Sequence, residues 1–552
     1  MRMGMMRRMM LEGTTARVAG SANAKGFACA AVCAAMLLSG CNVGPKYVKP
    51  AAAASAPEYK ESAPAAYVNT PDGTNTPDGT WRPAQPQDAA LKGKWWEVFN
   101  EPELNGLEDQ LNINNQNIAE YFQNFMAARA QVREAKSQYY PTLTTNPSFS
   151  RQKTPGTLHG VATTGTTTGT TTGTGTTTGT TTATGTVGGT TTSIMELPFD
   201  VSWEPDLWGK IRNTVREYQY ATQVSAAELE NERLTEQAAL AEFYFQLRGQ
   251  DALQDLYNKT VAADQESLKL TQALYETGID DDEAVAQAEV TLQGAQETAT
   301  GIATNRAIYE HAIATLIGKP ASSFSLPVKA LTTPVPPIPV GVPSQLLERR
   351  PDIATAERTM AEANAVIGIE KAAYYPTLSL TGGGGLESSS ITTLVSAPAL
   401  FWSVGASAAE TIFDAGLRKA TVAQYTATYN ADVATYRQTV LTAFQQTEDY
   451  IATLRVTSQQ IQQEDMAVKS AQRYLKIAQA RYETGLDPYL NVMSAQTTLL
   501  SYQQTQVTLR VDEMTAAVEL VQALGGGWDT TQLPAAATVN SNGAVKQVAG
   551  TQ

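Results

Sequence analysis

The chain has 552 residues, 42% hydrophobic and 17% charged, with a formal net charge of −14. Those values exclude a disordered chain and leave room for more than one domain, while the acidic balance argues against nucleic acid as a partner. Two histidines, His159 and His311, and three cysteines leave little material for an enzyme: no phosphate-binding loop, dinucleotide fingerprint or clustered metal-ligand pattern is present.

In chain order, residues 1–40 carry five basic groups and one acid, then an apolar run from Phe27 to Leu38. That run has the length of a signal-peptide core and is too short to span a membrane as a helix. It ends in Leu38-Ser39-Gly40-Cys41, which resembles the lipobox of bacterial lipoproteins, in which the cysteine is acylated and becomes the first residue. Cys29 and Cys33 would be removed with the signal, so the exported chain retains only Cys41 and has no internal disulfide. Asn42 stands where an inner-membrane retention signal would place Asp, so the resemblance implies sorting to the outer membrane.

A strand is expected from Leu143 to Ser150. A Thr/Gly-rich loop follows at 156–192, with too few apolar side chains to order it. Met195, Leu197, Phe199, Val201 and Trp203 then alternate with polar residues, the period-two pattern of a strand with one apolar face. From Gly209 to about Tyr275 there is no proline and the composition favours a helix. Tyr275-Glu276-Thr277-Gly278 ends it, with glycine suited to the left-handed conformation after a helix. Asp280, Asp281, Asp282 and Glu283 supply carboxylates to the start of the next helix, where the dipole favours them.

Six prolines between Pro327 and Pro343 enforce an extended linker, after which the pattern repeats. Tyr139-Tyr140-Pro141-Thr142-Leu143 recurs as Tyr374-Tyr375-Pro376-Thr377-Leu378, and Tyr-Glu-Thr-Gly recurs at Tyr482-Glu483-Thr484-Gly485. Gly209 to Gly278 and Gly416 to Gly485 are both 69 positions, whereas the Thr/Gly segment lengthens only the first copy. The second copy offers strands at Thr377 to Gly384 and Leu400 to Ala408. Its long helix carries Val422, Tyr425, Tyr429, Val433, Tyr436, Val440 and Phe444 at coiled-coil spacing. Asp487 is expected to cap the following helix, with Pro488 in its first turn. The organisation is therefore 1–40 signal peptide, 41–326 first repeat, 327–343 linker, 344–528 second repeat and 529–552 a flexible tail.

Several segments together carry a family resemblance: Cys41-Asn42-Val43-Gly44-Pro45 with Tyr47, Trp95-Trp96 with Phe99, Gly341-Val342-Pro343-Ser344, Arg349-Arg350-Pro351-Asp352-Ile353, Ala356-Glu357 and Ala363-Asn364-Ala365. With the two repeated motifs, they resemble the TolC-like outer membrane factors, in the lipoprotein subgroup serving resistance-nodulation-division (RND) efflux pumps. The resemblance implies a mainly α fold with a transmembrane β-barrel. Long helical hairpins would form a periplasmic tunnel and each protomer of a homotrimer would give four barrel strands. Four strands alone cannot enclose an aqueous pore, whereas twelve can.

The implied function is the passive, gated exit duct of a tripartite pump for small molecules such as drugs, in the cell outer membrane with most of the chain in the periplasm. No cofactor or catalysis is expected. The implied partners are outer-membrane lipid, a periplasmic adaptor (membrane fusion) protein and an inner-membrane RND transporter. Adaptor docking would fall on Tyr275, Thr277, Gly278, Tyr482, Thr484 and Gly485, with a periplasmic gate at Tyr482, Asn491 and Ser494. Acidic positions found after the second turn glycine in many members are Asn491 and Ser494 here. A duct for protein secretion or metal-ion export, or a lipid-anchored coiled-coil adaptor, are the competing readings. The alternating strands oppose the last.

Overall fold

The computed structural model describes residues 42–52, 59–61, 93–153, 191–338, 340, 343–535 and 538. The signal segment, Cys41, the Thr/Gly loop apart from its last two residues, Pro339, Gly341 and Val342 of the linker, and most of the tail lie outside them.

The two copies fold to matching helices. The first has α1 (Pro102–Asn114), α2 (Gln116–Ser137), α3 (Lys210–Glu276) and α4 (Asp282–Leu316); the second has α5 (Leu346–Arg349), α6 (Pro351–Ala372), α8 (Leu417–Glu483) and α9 (Tyr489–Ala523), with a short α7 (Ile391–Leu394). The pairs α2/α6, α3/α8 and α4/α9 have 22, 67 and 35 residues in both copies, so the sequence duplication is a structural one. At ~1.5 Å per residue, α3 and α8 each run roughly 100 Å. No helix among the described residues is long and apolar enough to cross a membrane.

The compact units are not the two copies. One unit comprises Met1–Gly44, Lys136–Asn213 and Gly368–Thr421, and the other Pro45–Ala135, Thr214–Ile367 and Val422–Gln552. Each draws on both copies.

The first unit is built around one antiparallel sheet of β1 (Thr142–Thr145), β2 (Ser148–Lys153), β3 (Thr191–Trp203), β4 (Thr377–Ser388) and β5 (Leu400–Ala409). The strand expected from Leu143 to Ser150 is two, β1 and β2, both paired with β3 in one register: Thr145 faces Phe199 and Ser148 faces Glu196. The reason for the break is chemical. That register brings the Asn146-Pro147 gap opposite Leu197-Pro198, and neither proline has an N–H to give to the ladder. β3 also starts earlier than expected, at Thr191, taking the last two residues assigned to the Thr/Gly loop. β4 extends past Gly384 to Ser388. β3 joins the copies by pairing with β4, as Val201 with Gly382 and Phe199 with Gly384. The glycine run in β4 allows this approach, because a Cβ at Gly385 would strike the Leu197 carbonyl.

Neighbouring rows put Leu143, Phe199, Val201, Trp402 and Val404 on one face, where all are exposed. Asp200, Ser202, Thr381 and Ser403 lie on the other. An exposed apolar face opposite a polar one is the pattern of a strand between lipid and an aqueous lumen.

The second unit is helical around a continuous core. Trp95, Phe99, Leu104 and Leu111 pack with Tyr244, Phe245 and Leu247 of α3 and Val518 and Val521 of α9. Trp95 Nε1 donates to Gln237 at 3.1 Å. The described linker residues before Pro343 form neither helix nor strand, and the segment is held at its start. Arg248 donates to Pro327 O (2.7 Å), Asp251 (2.9 Å) and Glu103 (2.6 Å), while Arg306 reaches Asp251 (2.7 Å) and Leu326 O (2.8 Å). Pairing of these buried charges is what makes their burial tolerable. The stripe on α8 is also realised: Tyr436 and Val440 are buried against Ile353 and Met360, with Tyr429, Val433 and Phe444 at the margin. The first residues of the segment expected to be a tail, from 529, are structured. Asp529 caps a short turn at Thr530–Gln532, and Leu533 packs beside Trp528.

Candidate functional site

The two helix–helix turns share one local design. After α3, Gly278 has φ +71 and Ile279 N–H donates to Leu274 O at 2.9 Å; after α8, Gly485 has φ +71 and Leu486 N–H donates to Arg481 O at 2.9 Å. Thr277 and Thr484 each return a hydroxyl to the helix they end, on Ala273 O (3.1 Å) and Ala480 O (3.0 Å). Tyr-Glu-Thr-Gly is thus a helix stop, in which threonine satisfies a terminal carbonyl and glycine takes the left-handed turn.

Beyond the glycine the copies diverge. Asp281 caps α4, its carboxylate accepting from Ala284 N–H at 3.1 Å. Asp487 does not cap α9. Pro488 occupies the cap position without a side-chain bond, and Asp487 instead accepts two hydrogen bonds from Arg481, at 2.6 and 3.0 Å. An arginine in the last turn of α8 out-competes the backbone for that carboxylate because the pair is bidentate and charged.

The tyrosines differ most. Tyr275 is 48% exposed, whereas Tyr482 is buried. The Tyr482 hydroxyl donates to Asp280 Oδ2 at 2.6 Å, lies 3.3 Å from Thr271 Oγ1, and its ring meets Tyr489 edge-on at 5.4 Å. Ala284, Ala288, Ala478, Val492 and Ala495 surround it; such small residues let two helical hairpins approach closely. Burial, and then the bond to Asp280, push the Tyr482 phenol up to about 12. It therefore stays a donor throughout the physiological pH range. Asn491 and Ser494, expected beside it, lie on α9, but the hydroxyl is directed to Asp280 on the other hairpin. Ser494 is exposed and Asn491 half-buried.

Two features escaped the sequence reading. Ile279 and Leu486, each directly after a turn glycine, are 68% and 69% exposed. The signal was available, since both copies place an aliphatic residue at an otherwise polar turn. Asp264 on α3 was missed as well; it is buried, with Oδ2 lacking a hydrogen-bond partner, and burial pushes it up to about 6. Nothing distinguishes it in sequence from its solvated neighbours.

The motif residues near the start of the chain make defined contacts within their own units. Asn42 Oδ1 accepts from Asn213 Nδ2 (3.0 Å) and Gly44 N–H (3.2 Å), and a Cβ at Gly44 would lie 2.9 Å from the Gly368 backbone. In the helical unit, Asn364 donates to Pro45 O (3.2 Å) and Tyr47 to Glu357 (2.6 Å). Arg350 holds Asp352 and the Ala523 carbonyl at the end of α9. These side chains secure the backbone leading away from Cys41 and the return of the last helix.

Residues 107–319 and 342–526, most of both copies, match the outer membrane efflux protein family. The chain belongs to that family. It is 28% identical over 498 residues to the toluene efflux pump outer membrane protein TtgC of Pseudomonas putida and to the antibiotic efflux pump outer membrane protein ArpC of the same species. Either alignment covers 90% of this chain and 94% of the relative. It is 27% identical to the outer membrane protein OprJ of Pseudomonas aeruginosa, covering 91% and 96%. Among solved structures, the outer-membrane channel OprN superposes with a TM-score of 0.74 at 24% identity, covering 88% of this chain and all of that one. The CmeC outer membrane channel of Campylobacter jejuni gives 0.74 at 21%, covering 89% and 96%. The fold is that of these channels. The protein is an outer-membrane component of an efflux pump and not an enzyme.

Proposed function

We propose that the chain works as a homotrimer, a gated duct whose periplasmic mouth is set by the two hairpin tips. The observation that carries this reading is the bond from Tyr482 to Asp280, which ties the second hairpin to the first within one protomer. Breaking it frees one hairpin to move against the other while both turns stay intact. Thr277-Gly278-Ile279 and Thr484-Gly485-Leu486 would be the docking points for the periplasmic adaptor, with the exposed Ile279 and Leu486 as apolar anchors rimmed by carboxylates. The adaptor links the duct to an inner-membrane RND transporter that supplies the energy. Substrates would be small organic compounds, since the named relatives serve toluene and antibiotic pumps. Cys41 would carry the lipid anchor, followed by the backbone that Asn213 and Gly368 hold in place.

Single-channel recording from purified protein in planar bilayers, with native mass measured in the same detergent, tests the reading. Conducting trimers, mostly closed, are expected; a non-conducting monomer overturns it. Cys41→Ser should abolish acyl labelling, and persistent label would remove the anchor.

A further inference from the structure

Between α3, α4 and α9 lies a cavity of about 240 Å³, open to solvent where Val290 and Gly294 of α4 are exposed. Part of its lining is polar and unsatisfied. Asp264 of α3 is 2% exposed, and its Oδ2 has no hydrogen-bond partner. Gln496 of α9 donates its amide N–H to Ser267 Oγ at 3.0 Å and leaves a buried Oε1 unpartnered. Lys259 and Lys269, the lysines of α3 on either side of Asp264, are engaged elsewhere, with Asp255 (2.6 Å) and Glu266 (2.7 Å). Thr260 and Thr291 give their hydroxyl protons to Leu256 O and Gln287 O of their own helices, both at 3.0 Å, and keep only lone pairs to offer. Val290, Met493 and Leu500 supply apolar lining.

Gly294 is informative because nothing in the backbone requires it. It sits inside α4 without a left-handed φ, and a Cβ there would meet nothing within 4 Å. Glycine weakens a helix interior, yet here it serves neither a turn nor a close approach. What its missing side chain does is leave the cavity empty.

A buried carboxylate and a buried amide oxygen lining one small space call for a donor, and the carboxylate calls for a positive one. Burial pushes the Asp264 carboxyl up to about 6, so at neutral pH it is ionised and a cation would replace the solvation it has lost. One charge with several N–H donors on a hydrocarbon stem matches both parts of the lining.

We propose that the cavity binds a short primary alkylammonium, its nitrogen donating to Asp264 Oδ2, Gln496 Oε1 and a threonine hydroxyl oxygen, and its chain lying against Val290, Met493 and Leu500. The site lies within one chain, so the inference goes beyond the reading of the duct and does not rest on it. The competing occupant is water. Burial, and then the Asp264 charge, push the Tyr489 phenol up to about 12, and its hydroxyl too lacks a partner, so a water could bridge the two groups.

Hydrogen exchange of the purified protein at neutral pH decides between them. n-Butylammonium chloride is titrated against equal ionic strength of potassium chloride or of tetramethylammonium chloride, which carries the charge without an N–H. Butylammonium alone should give saturable protection in the parts of α3, α4 and α9 around Asp264, Gly294 and Gln496. Asp264→Asn removes the charge, and Gly294→Met fills the space with the carboxylate still in place. Each should raise the half-saturating concentration roughly tenfold to a hundredfold. Absent or unsaturable protection means that water alone occupies the cavity and overturns the proposal. Equal protection by potassium or tetramethylammonium, or saturation unchanged in either variant, overturns it as well.

Discussion

The two hairpin tips begin with the same four residues and end in different states. At the first, Tyr275 stands exposed and the acidic run after Gly278 caps its own helix. At the second, Tyr482 is buried, and its hydroxyl takes Asp280, the first residue of that acidic run. The turn itself is identical to within 0.1 Å in its glycine N–H bonds to Tyr275 O and Tyr482 O, 2.9 and 2.8 Å. Duplication preserved the helix stop and released everything beyond it. One tip supplies the acceptor and the other the donor of a single hydrogen bond, so the repeats are asymmetric at their tips.

The largest effect comes from removing one side of the comparison altogether. Deleting the turn around Gly485, from Glu483 to Asp487, should abolish drug efflux in a susceptibility assay while immunoblots still find the protein in the outer membrane, because the sheet is built from other segments. Retained efflux would mean that the second tip is dispensable. Next is the bond from Tyr482 to Asp280. Tyr482→Phe loses a hydrogen bond to a carboxylate, worth about 2 kcal/mol, or roughly 30-fold in the balance between latched and free hairpins. Open probability in planar bilayers should rise accordingly, and Asp280→Asn should act in the same direction. Tyr275→Phe should leave gating unchanged, and equal effects from both tyrosines would erase the distinction between the tips.

Most of the scaffold is legible in the sequence, because its causes are local or repeat. Equal spacing between Gly209 and Gly278 and between Gly416 and Gly485 fixed two equal helices, and alternation in Met195 to Trp203 fixed a strand. What failed needed a partner from elsewhere in the chain. Asp487 reads as a cap until Arg481 is known to lie opposite it. The Leu143 to Ser150 strand reads as continuous until Pro147 is found across from Leu197 and Pro198. The bond from Tyr482 to Asp280 was not legible, because it depends on how two hairpins pack. Asp264 was invisible for the same reason.

That buried acid gives a local, pH-dependent effect. Its carboxyl titrates near 6 in the folded chain, against an ordinary value of 3.8. Below about pH 4 both folded and unfolded forms are protonated and no penalty exists. As pH rises toward 6 the unfolded group ionises first, so stability falls, and above 6 the full cost of a buried charge persists. Asp264→Asn should slow hydrogen exchange in the tip-proximal parts of α3 and α9 by up to roughly a hundredfold at neutral pH and have little effect at pH 4. An equal gain at both pH values would show that the side chain acts through packing alone.

The smallest effect should be the same at both tips, which makes it the control for the rest. A Cβ added at Gly278 or at Gly485 meets nothing within 4 Å, and both residues have φ +71. The cost of alanine is therefore conformational only, about 1 kcal/mol at either turn. Gly278→Ala and Gly485→Ala should lower the thermal stability of the purified protein by equal small amounts. If gating instead responds to one and not the other, the turns differ in function despite equal strain, with Gly485 the more sensitive because Tyr482 lies three residues before it and transmits any shift of the helix end to Asp280. Unequal losses of stability would mean that the turns are not equivalent scaffolds, and that the divergence between the copies begins at the glycine instead of after it.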